Sequence, residues 1–190
     1  MTLWPKNMVS TKDLQFVLRS GKMITKPIPD KIKHYVWNFL QNHNVGNRHT
    51  ANGNKEEQYV GLLGEMMISN MFNGEYKLKS GFDGGFDLII NGRKVDVKTM
   101  GRNVDVKMNY VNNFIGFQSH FNCDIYIFCS INKRKSELTM CGWVTKQELF
   151  DRADYYPKGT IRTRDDGSSF EFKADTYEIK NIDLNAAETL

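Results

Sequence analysis

The sequence predicts a mixed α/β domain of the α+β kind, with helices flanking a mixed central sheet, and three stretches carry this prediction. Residues Lys55–Phe72, KEEQYVGLLGEMMISNMF, form the best helical pattern in the chain. Two alternating runs, Phe86–Ile90 and Arg93–Thr99, flank Asn91-Gly92, which indicates a β-hairpin because both turn positions need positive φ. The near-continuous apolar run Asp124–Asn132 is typical of a strand covered on both faces.

The composition predicts one soluble domain. With 190 residues the chain is long enough to bury a real core, and it is 40% hydrophobic and 25% charged. No apolar run is long enough to cross a bilayer, and the first residues lack a signal-peptide pattern, so we expect a cytoplasmic protein without a membrane partner. Its three cysteines lack metal-ligand spacing and fit buried, reduced thiols. The net charge of +4 is compatible with a nucleic-acid partner but does not establish one.

The N-terminal part, residues 1–53, is predicted to be a helical extension with little readable chemistry. We expect a short helix around Thr11–Leu18 and a second helix from Asp30, as its N-cap, to about Gln41. A polar loop rich in turn formers follows at 42–54. This extension packs on the core, gates the site or touches the substrate; the sequence does not choose among these roles.

The hairpin places acidic side chains together. If its loop has two residues, Asp87 faces Asp96, with Cβ atoms about 4.5–5.5 Å apart on one face. Lys98 lies on that face, whereas Leu88 and Val95 lie on the other. Like charges directly opposed destabilise a sheet, so the pair shifts its pKa or requires a cation. Mg²⁺ or Mn²⁺ suits such a site because hard ions prefer carboxylate oxygens. A lysine beside the metal can position a water or stabilise charge on a phosphate, so these residues predict phosphodiester cleavage.

Glu65 is the unusual residue of the helix that Asn54 is expected to cap. Its neighbours are apolar, and the small residues Gly61 and Ser69 share its row on the helix. Small residues allow close approach to a sheet, which would aim Glu65 inward, although a buried carboxylate without a partner is costly. Taken alone, the helix favours an exposed glutamate on its polar edge. Together with the two aspartates, the inward orientation is favoured.

A second Val-Asp-Val-Lys stands at 104–107. Its Asp105 and Lys107 alternate as in the first copy, but no upstream aspartate is held opposite them by a tight turn. We therefore predict a strand with a polar face there and assign catalysis to the first copy. Residues 109–122 are expected to form a short helix or an irregular connection.

The rest of the chain is predicted to add strands and one helix to the core. The expected elements are a strand at Glu75–Ser80, a strand at Glu137–Val144, a helix capped by Thr145, a hairpin of Thr160–Arg164 with Ser169–Lys173, and a last strand at Thr176–Ile179. Residues 133–190 would thus form a C-terminal addition packed on the core.

These motifs, in this order, resemble the core of the PD-(D/E)XK nuclease superfamily, the restriction-endonuclease-like fold. The matching residues are Glu65 in GLLGEM, Asp87 in GFDLII and Asp96-Val97-Lys98 in KVDVKT. The resemblance covers about residues 54–132, and the later GWVTKQELF and basic hairpin resemble additions in some phage-type members. One departure is Phe86, which stands before Asp87 where the superfamily name has proline.

The resemblance implies roles for these residues. Asp87 and Asp96 would bind Mg²⁺ (or Mn²⁺) with the Val97 carbonyl, Glu65 would be a further ligand, and Lys98 would orient or deprotonate the attacking water. The substrate would be DNA, and a homodimer would cut both strands. An accessory role falls to Gln118. Phosphate contacts are expected from basic side chains, namely Lys77, Lys79, Lys94, Arg102, Lys107, Lys133, Arg134 and Lys135.

Four functional hypotheses remain open at this level. A metal-dependent deoxyribonuclease, endonuclease rather than exonuclease, is favoured because Glu65, Asp87, Asp96 and Lys98 are all present. A catalytically weak or inactive DNA-binding or protein-interaction module would keep the fold without needing these residues. A small non-nuclease domain with an exposed acidic hairpin predicts no metal dependence. A His-nuclease site at 43–49, built from His43, Asn44 and His49, is disfavoured because it needs a specific hairpin and helix context.

Overall fold

The computed structural model describes residues 17–19, 23–45, 53–76, 84–163 and 167–190. Within them the chain is a mixed α+β protein with a mixed central sheet, so the predicted fold class is confirmed at this level. The helices are α1 (Asp30–Asn42), α2 (Lys55–Phe72) and α3 (Lys146–Arg152). The strands are β1 (Val17–Arg19), β2 (Met23–Pro27), β3 (Glu75–Tyr76), β4 (Leu88–Ile90), β5 (Arg93–Arg102), β6 (Val111–Ile115), β7 (Ile125–Asn132), β8 (Glu137–Thr145), β9 (Asp154–Tyr156), β10 (Ile161–Thr163), β11 (Ser169–Glu171) and β12 (Thr176–Lys180).

The central sheet has the strand order β1-β2-β8-β7-β5-β4-β3, in which the β5–β7 pair is parallel and the other neighbours are antiparallel. The strand between β5 and β7 in sequence, β6, leaves this sheet and pairs with β12 in a second sheet ordered β6-β12-β9. The crossover that makes β5 and β7 parallel therefore passes through the second sheet. Strands β2 and β8, from the predicted N-terminal extension and C-terminal addition, share the central sheet with residues 54–132.

Each face of the central sheet is buried under a different layer. Val95 and Val97 of β5 belong to the larger core, with Met66 of α2. On the other face, Phe128 of β7 packs in a second core with Phe114 of β6. All eight residues of β7 are buried, as the apolar run predicted. Because side chains alternate along β5, Asp96 and Lys98, which alternate with the two valines, face the second layer.

Helix α2 closely approaches the central sheet. Its predicted cap is confirmed, since Asn54 accepts from the Glu57 amide and the Glu57 carboxylate accepts from the Asn54 amide. A Cβ added at Gly64 would lie 1.8 Å from Thr99 Oγ1, so only glycine fits there without movement of the sheet. Gly61, which was expected to allow the approach, meets nothing within 4 Å. The contact is thus one residue before Glu65.

The predicted hairpin is confirmed up to its last pair. The Asn91-Gly92 turn has positive φ at both residues, 50° and 77°. The register follows the prediction as far as Leu88 opposite Val95. Beyond that pair, the Asp87 amide donates to the Val95 carbonyl at 2.9 Å, so Asp87 is shifted from its predicted place opposite Asp96. A backbone irregularity at the start of β4 therefore replaces direct opposition of the two carboxylates.

Two N-terminal predictions need correction. Val17–Arg19 forms β1, which pairs with β2, so the end of the helix predicted around Thr11–Leu18 is wrong; residues 11–16 lie outside the described part. Strand pairing with β2 supplies backbone hydrogen bonds that a short isolated helix would lack. Asp30 is the first residue of α1 instead of its cap, and Pro29 holds the N-cap position. An acidic side chain in the first turn suits the positive end of the helix dipole.

Two central predictions also differ from the structure. Val104–Lys107 forms bends and irregular backbone, so the predicted strand is wrong. Val111–Ile115 is strand β6, followed by a 3₁₀ helix at Gly116–His120, where a short helix or irregular connection was expected. The pattern of 111–115 was ambiguous because its partner, Thr176–Lys180, is far away in sequence.

The C-terminal predictions agree with the described residues. Strand β8 pairs antiparallel with β7, and Thr145 caps α3 through a reciprocal capping box with Glu148. Strands β10 and β11 form the predicted hairpin, and β12 is the predicted last strand. Of the strand predicted at Glu75–Ser80, the described part is β3; residues 77–83 and 164–166 lie outside the description. Among the described helices, none has the length and apolar character needed to span a membrane.

Candidate active site

Asp96 and Lys98 form an ion pair on the face of β5 that the second sheet covers. Asp96 is 5% exposed, and Lys98 Nζ lies 2.6 Å from its Oδ1 and 2.8 Å from its Oδ2. The ammonium also lies 5.9 Å from the centre of the Phe114 ring of β6. Asp96 and Lys98 therefore lie on one face of the strand, as predicted, and are in contact.

One oxygen of Asp96 is left without a hydrogen bond. Only Oδ2 has hydrogen-bond geometry with Lys98; Oδ1 is close enough for charge attraction, yet it is buried and has no hydrogen-bond partner in the described part of the chain. The Lys98 ammonium is the counter-ion of this oxygen, and a carboxylate oxygen has a second lone pair to offer to a donor or a metal ion.

Asp87 lies beside the pair, immediately before β4. Its Oδ2 accepts a hydrogen bond from the Val97 amide at 2.6 Å, which links the start of β4 to the centre of β5. Although the residue as a whole is half-buried, its carboxyl group is enclosed. Burial raises the pKa of Asp87 well above its usual value, and the charges of Glu65 and Asp96 raise it further, against Lys98 and the Val97 amide. The ionised form is thus disfavoured unless a cation is added.

Glu65 reaches the same place from α2. It is half-buried, and its Oε2 accepts a hydrogen bond from the Tyr76 hydroxyl of β3 at 2.8 Å. Its charge acts on Asp87, so the inward orientation expected for Glu65 agrees with its position. Burial and then the Glu65 charge raise the pKa of Tyr76 well above normal, which keeps its hydroxyl a donor. Tyr76 was not among the predicted site residues. Its position shortly after the helix that bears Glu65 is the feature of the sequence that could have indicated its contact with Glu65.

The carboxylates are held by protein donors. Lys98 holds Asp96, the Val97 amide holds Asp87, and Tyr76 holds Glu65. No set of three or more His, Cys, Asp or Glu side chains is already arranged as a metal site within the described ranges. The Val97 carbonyl was predicted as a ligand; the contact to Asp87 comes from the amide of the same residue.

The second Val-Asp-Val-Lys has a structural explanation. Asp105 accepts hydrogen bonds from Asn132 at 2.8 Å and from Lys135 at 2.6 Å, both in or beside the β7–β8 turn. The Asn132 side chain in turn accepts from the amides of Arg134 and Lys135. Asp105 therefore holds the irregular segment after β5 against this turn.

The basic β7–β8 turn, predicted to hold phosphates, is partly neutralised. Lys133 pairs with Glu56 of α2 at 2.8 Å, and Lys135 pairs with Asp105. Arg134 is exposed. Surface ion pairs of this kind are weak, and phosphate binding by this turn stays a prediction.

The other predicted phosphate-binding side chains differ in exposure. Arg102 is half-buried; its guanidinium lies 4.9 Å from the Tyr110 ring centre and donates to the Val111 carbonyl at 3.3 Å, which joins the end of β5 to β6. Lys94 lies 5.5 Å from the Phe86 ring centre and Lys107 is exposed. Arg102 and the half-buried Lys94 therefore contact protein rings, while Lys107 is exposed.

The remaining candidates are placed as follows. His43 bonds to the Phe39 carbonyl at 2.9 Å and stacks on the Phe39 ring, so it is accounted for at the end of α1. His49 lies outside the described residues, as do Lys77 and Lys79. Gln118 is buried in the 3₁₀ helix after β6.

No family model matches the sequence, and no curated protein matches it. The chemistry of the site therefore has to be inferred from its own residues.

Proposed function

We propose that the protein is a metal-dependent deoxyribonuclease, an endonuclease that hydrolyses phosphodiester bonds with a metal-activated water. The observation that carries the proposal is the convergence of three carboxylates and one lysine. The charges of Glu65 and Asp96 both act on Asp87, and Lys98 contacts Asp96. Carboxylates gathered in a buried place repel one another, and a divalent cation relieves that repulsion.

The chemistry of these residues suits a hard divalent ion, although their side chains are not arranged as a metal site in the described part of the chain. Oδ1 of Asp96 is a buried acceptor without a hydrogen bond, and the donor set is made of carboxylate oxygens, which Mg²⁺ and Mn²⁺ prefer. When bound, the ion would polarise the scissile phosphate and lower the pKa of a ligated water. Asp87 and Asp96 would hold the ion, with Glu65 as a further ligand.

Lys98 supplies the remaining chemistry of this proposal. Its ammonium is a mobile donor next to Asp96 and would orient the attacking water or stabilise negative charge on the phosphate. In the metal-free protein the same ammonium compensates the charge of Asp96. Lys98 would thus contact Asp96 in the metal-free protein and turn to the attacking water or the phosphate when metal and substrate are bound.

The order of the elements supports a restriction-endonuclease-like core. Helix α2 with Glu65, strand β3, Asp87 before β4, Asp96 and Lys98 in β5, and the buried strand β7 follow one another as the resemblance to the PD-(D/E)XK superfamily implies. One departure is the segment between β5 and β7, which contains β6 and a 3₁₀ helix in place of the expected helix.

A second candidate is a catalytically weak or inactive DNA-binding or protein-interaction module. The observation in its favour is that protein donors hold all three carboxylates, including the Lys98 ammonium on Asp96. In that case Lys98 would be a permanent counter-ion and a metal would have no effect.

Cleavage of supercoiled plasmid, with linear, single-stranded and branched DNA in parallel, tests the proposal. We expect cleavage in Mg²⁺ or Mn²⁺ and none in EDTA. Asp96→Asn should reduce the rate by about 100-fold or more, as loss of a key electrostatic group does. Asp105→Asn is the matched control, because it makes the same change at the equivalent position of the second Val-Asp-Val-Lys. Its cleavage rate should equal that of the native protein.

Cleavage that persists in EDTA, or that depends on Asp105 and not on Asp96, would refute the assigned site. Absence of cleavage of every DNA, together with no rise in melting temperature on adding Mg²⁺ or Mn²⁺, would favour the inactive module.

A further inference from the structure

Tyr126 of β7 carries a polar atom that the core does not use. The side chain is 0% exposed, and its hydroxyl has no hydrogen-bond partner among the described residues. Its ring packs against Phe114, with centroids 4.8 Å apart and planes at 62°. A phenylalanine would provide the same packing without burying an unsatisfied hydroxyl. Buried hydroxyls are normally hydrogen-bonded, so this one needs an explanation.

The position of Tyr126 relates it to the candidate site. It is the register partner of Asp96 in the parallel β5–β7 pair. Partners on neighbouring strands project from the same face of a sheet, so both side chains face the second layer. Among the described residues, four buried side-chain atoms have no hydrogen bond, and Oδ1 of Asp96 is one of them, together with the Tyr126 hydroxyl, Thr99 Oγ1 and Arg102 Nε. Two unsatisfied polar atoms, one a donor and the other an acceptor, thus belong to paired residues on one face.

A single water molecule between the two atoms would satisfy both. It can accept from a hydroxyl and donate to a carboxylate at once, and buried waters in proteins typically link polar groups that lack direct partners. The acceptor in question is the oxygen that Lys98 approaches without a hydrogen bond. A donor on the β7 side would hold the Asp96 carboxylate in place when the ammonium turns toward substrate.

We propose that Tyr126 is a positioning residue that orients Asp96 through an ordered water between its hydroxyl and Oδ1. This inference rests on the proposed function, because the orientation matters for holding a divalent ion. Residues that orient a metal ligand typically change metal affinity or activity by about 10–100-fold when they are altered.

Tyr126→Phe tests the inference, with Tyr177→Phe as the control. Tyr177 is half-buried, lies in β12 and packs near the same Phe114 ring, so its hydroxyl is removed from the same aromatic cluster. For each protein we would measure the melting temperature as Mn²⁺ is titrated, and the plasmid cleavage rate at low and saturating Mn²⁺.

We expect Tyr126→Phe to melt close to the native temperature without metal, because the ring packing against Phe114 is kept and only a water-mediated hydrogen bond is lost. Its Mn²⁺ midpoint should rise by about 10-fold, and its cleavage deficit should shrink at saturating Mn²⁺. Tyr177→Phe should keep the native midpoint. A purely structural role for the Tyr126 hydroxyl would change the melting temperature and leave the midpoint unchanged.

A native Mn²⁺ midpoint in Tyr126→Phe would overturn the inference while leaving the proposed function intact. A native protein that neither responds to Mn²⁺ in melting nor cleaves DNA would overturn the proposed function and this inference with it. The two failures are therefore distinguishable from the behaviour of the native protein alone.

Discussion

The chain contains Val-Asp-Val-Lys twice, and the two copies have opposite fates. At 95–98 both valines are buried, the aspartate is 5% exposed, and the lysine folds back on it. At 104–107 the first valine is 53% exposed, and the aspartate contacts a turn of another strand pair. The same four residues thus form a buried ion pair, Asp96 with Lys98, in the first copy and an exposed ion pair, Asp105 with Lys135, in the second.

The difference originates in what surrounds each copy. The first follows a two-residue turn that sets its register with β4, and it pairs on its other side with the buried strand β7. The second comes after the end of β5, where the chain leaves the central sheet. The first copy therefore has a strand along each edge and a packed layer on each face, whereas the second copy lies outside the sheet and stays near the surface. A candidate site motif is therefore better judged by the secondary-structure elements predicted around it than by the motif sequence alone.

The largest expected contrast is between the two lysines. Lys98→Met should lower metal-dependent plasmid cleavage by about 100-fold or more, because it removes the group that stabilises charge. Lys107→Met should have a much smaller effect, that of losing one phosphate contact, since Lys107 is exposed and lies outside the site. Lys98→Met also leaves the buried Asp96 without its cation, at a cost of about 3–5 kcal/mol, so rates must be measured well below its melting temperature. Equal rates in both variants would remove the functional distinction between the copies.

The next contrast is between the two leading valines. Val95 is 0% exposed, so Val95→Ala should reduce the free energy of unfolding by about 2–3 kcal/mol. Val104 is 53% exposed, and Val104→Ala should change the free energy by less than about 0.5 kcal/mol. Urea unfolding with a common m-value measures both. A cost for Val104→Ala as large as for Val95→Ala would mean that the second copy is packed in solution.

A third contrast concerns pH in the metal-free protein. Burial and the charges of Glu65 and Asp96 raise the pKa of Asp87 in the folded state, so the folded protein binds this proton more tightly than the unfolded chain. The contribution of Asp87 to stability therefore falls as the pH rises from about 4 through the raised pKa. Asp87→Asn removes this loss, so its melting temperature relative to the native protein should increase with pH. A difference that is constant from acid to neutral pH would contradict the shift.

The smallest expected effect is that of losing the exposed ion pair between Asp105 and Lys135. Asp105 and Lys135 are both more than one-third exposed. Asp105→Ala should therefore cost only about 0.5–1 kcal/mol of unfolding free energy, read from urea melts. High salt should weaken the native contact and narrow the difference. A larger, salt-independent cost would indicate that Asp105 does more than hold the segment after β5 to the turn.

Features set by neighbouring residues could be predicted from sequence. The capping boxes of α2 and α3, the Asn91-Gly92 turn and the apolar run of β7 all depend on interactions within a few residues, and the structure contains each of them. The register of the hairpin placed Asp96 and Lys98 on one face for the same reason. Local signals therefore accounted for the frame of the site.

Features set by distant partners could not be predicted. Strand β6 depends on β12, and β1 depends on β2, so their short and ambiguous patterns suggested helix or loop. The shift of Asp87 depends on its amide bonding to Val95, which a register argument cannot foresee. The contact of Tyr76 with Glu65 and the pairing of Tyr126 with Asp96 depend on strand neighbours that only the folded sheet defines.

The pairing of β6 with β12 has a consequence for synthesis of the chain. Phe114, the ring beneath the Lys98 ammonium, belongs to β6, and β6 gains its antiparallel neighbour only when residues 176–180 are made. During synthesis, Glu65, Asp87, Asp96 and Lys98 are therefore all made before the β6–β12 pair, which carries Phe114, can form. A nascent or truncated chain that stops before Thr176 would carry every proposed catalytic residue without an enclosed site. Enclosure of the proposed site by β6 therefore depends on β12, which is made after every proposed catalytic residue.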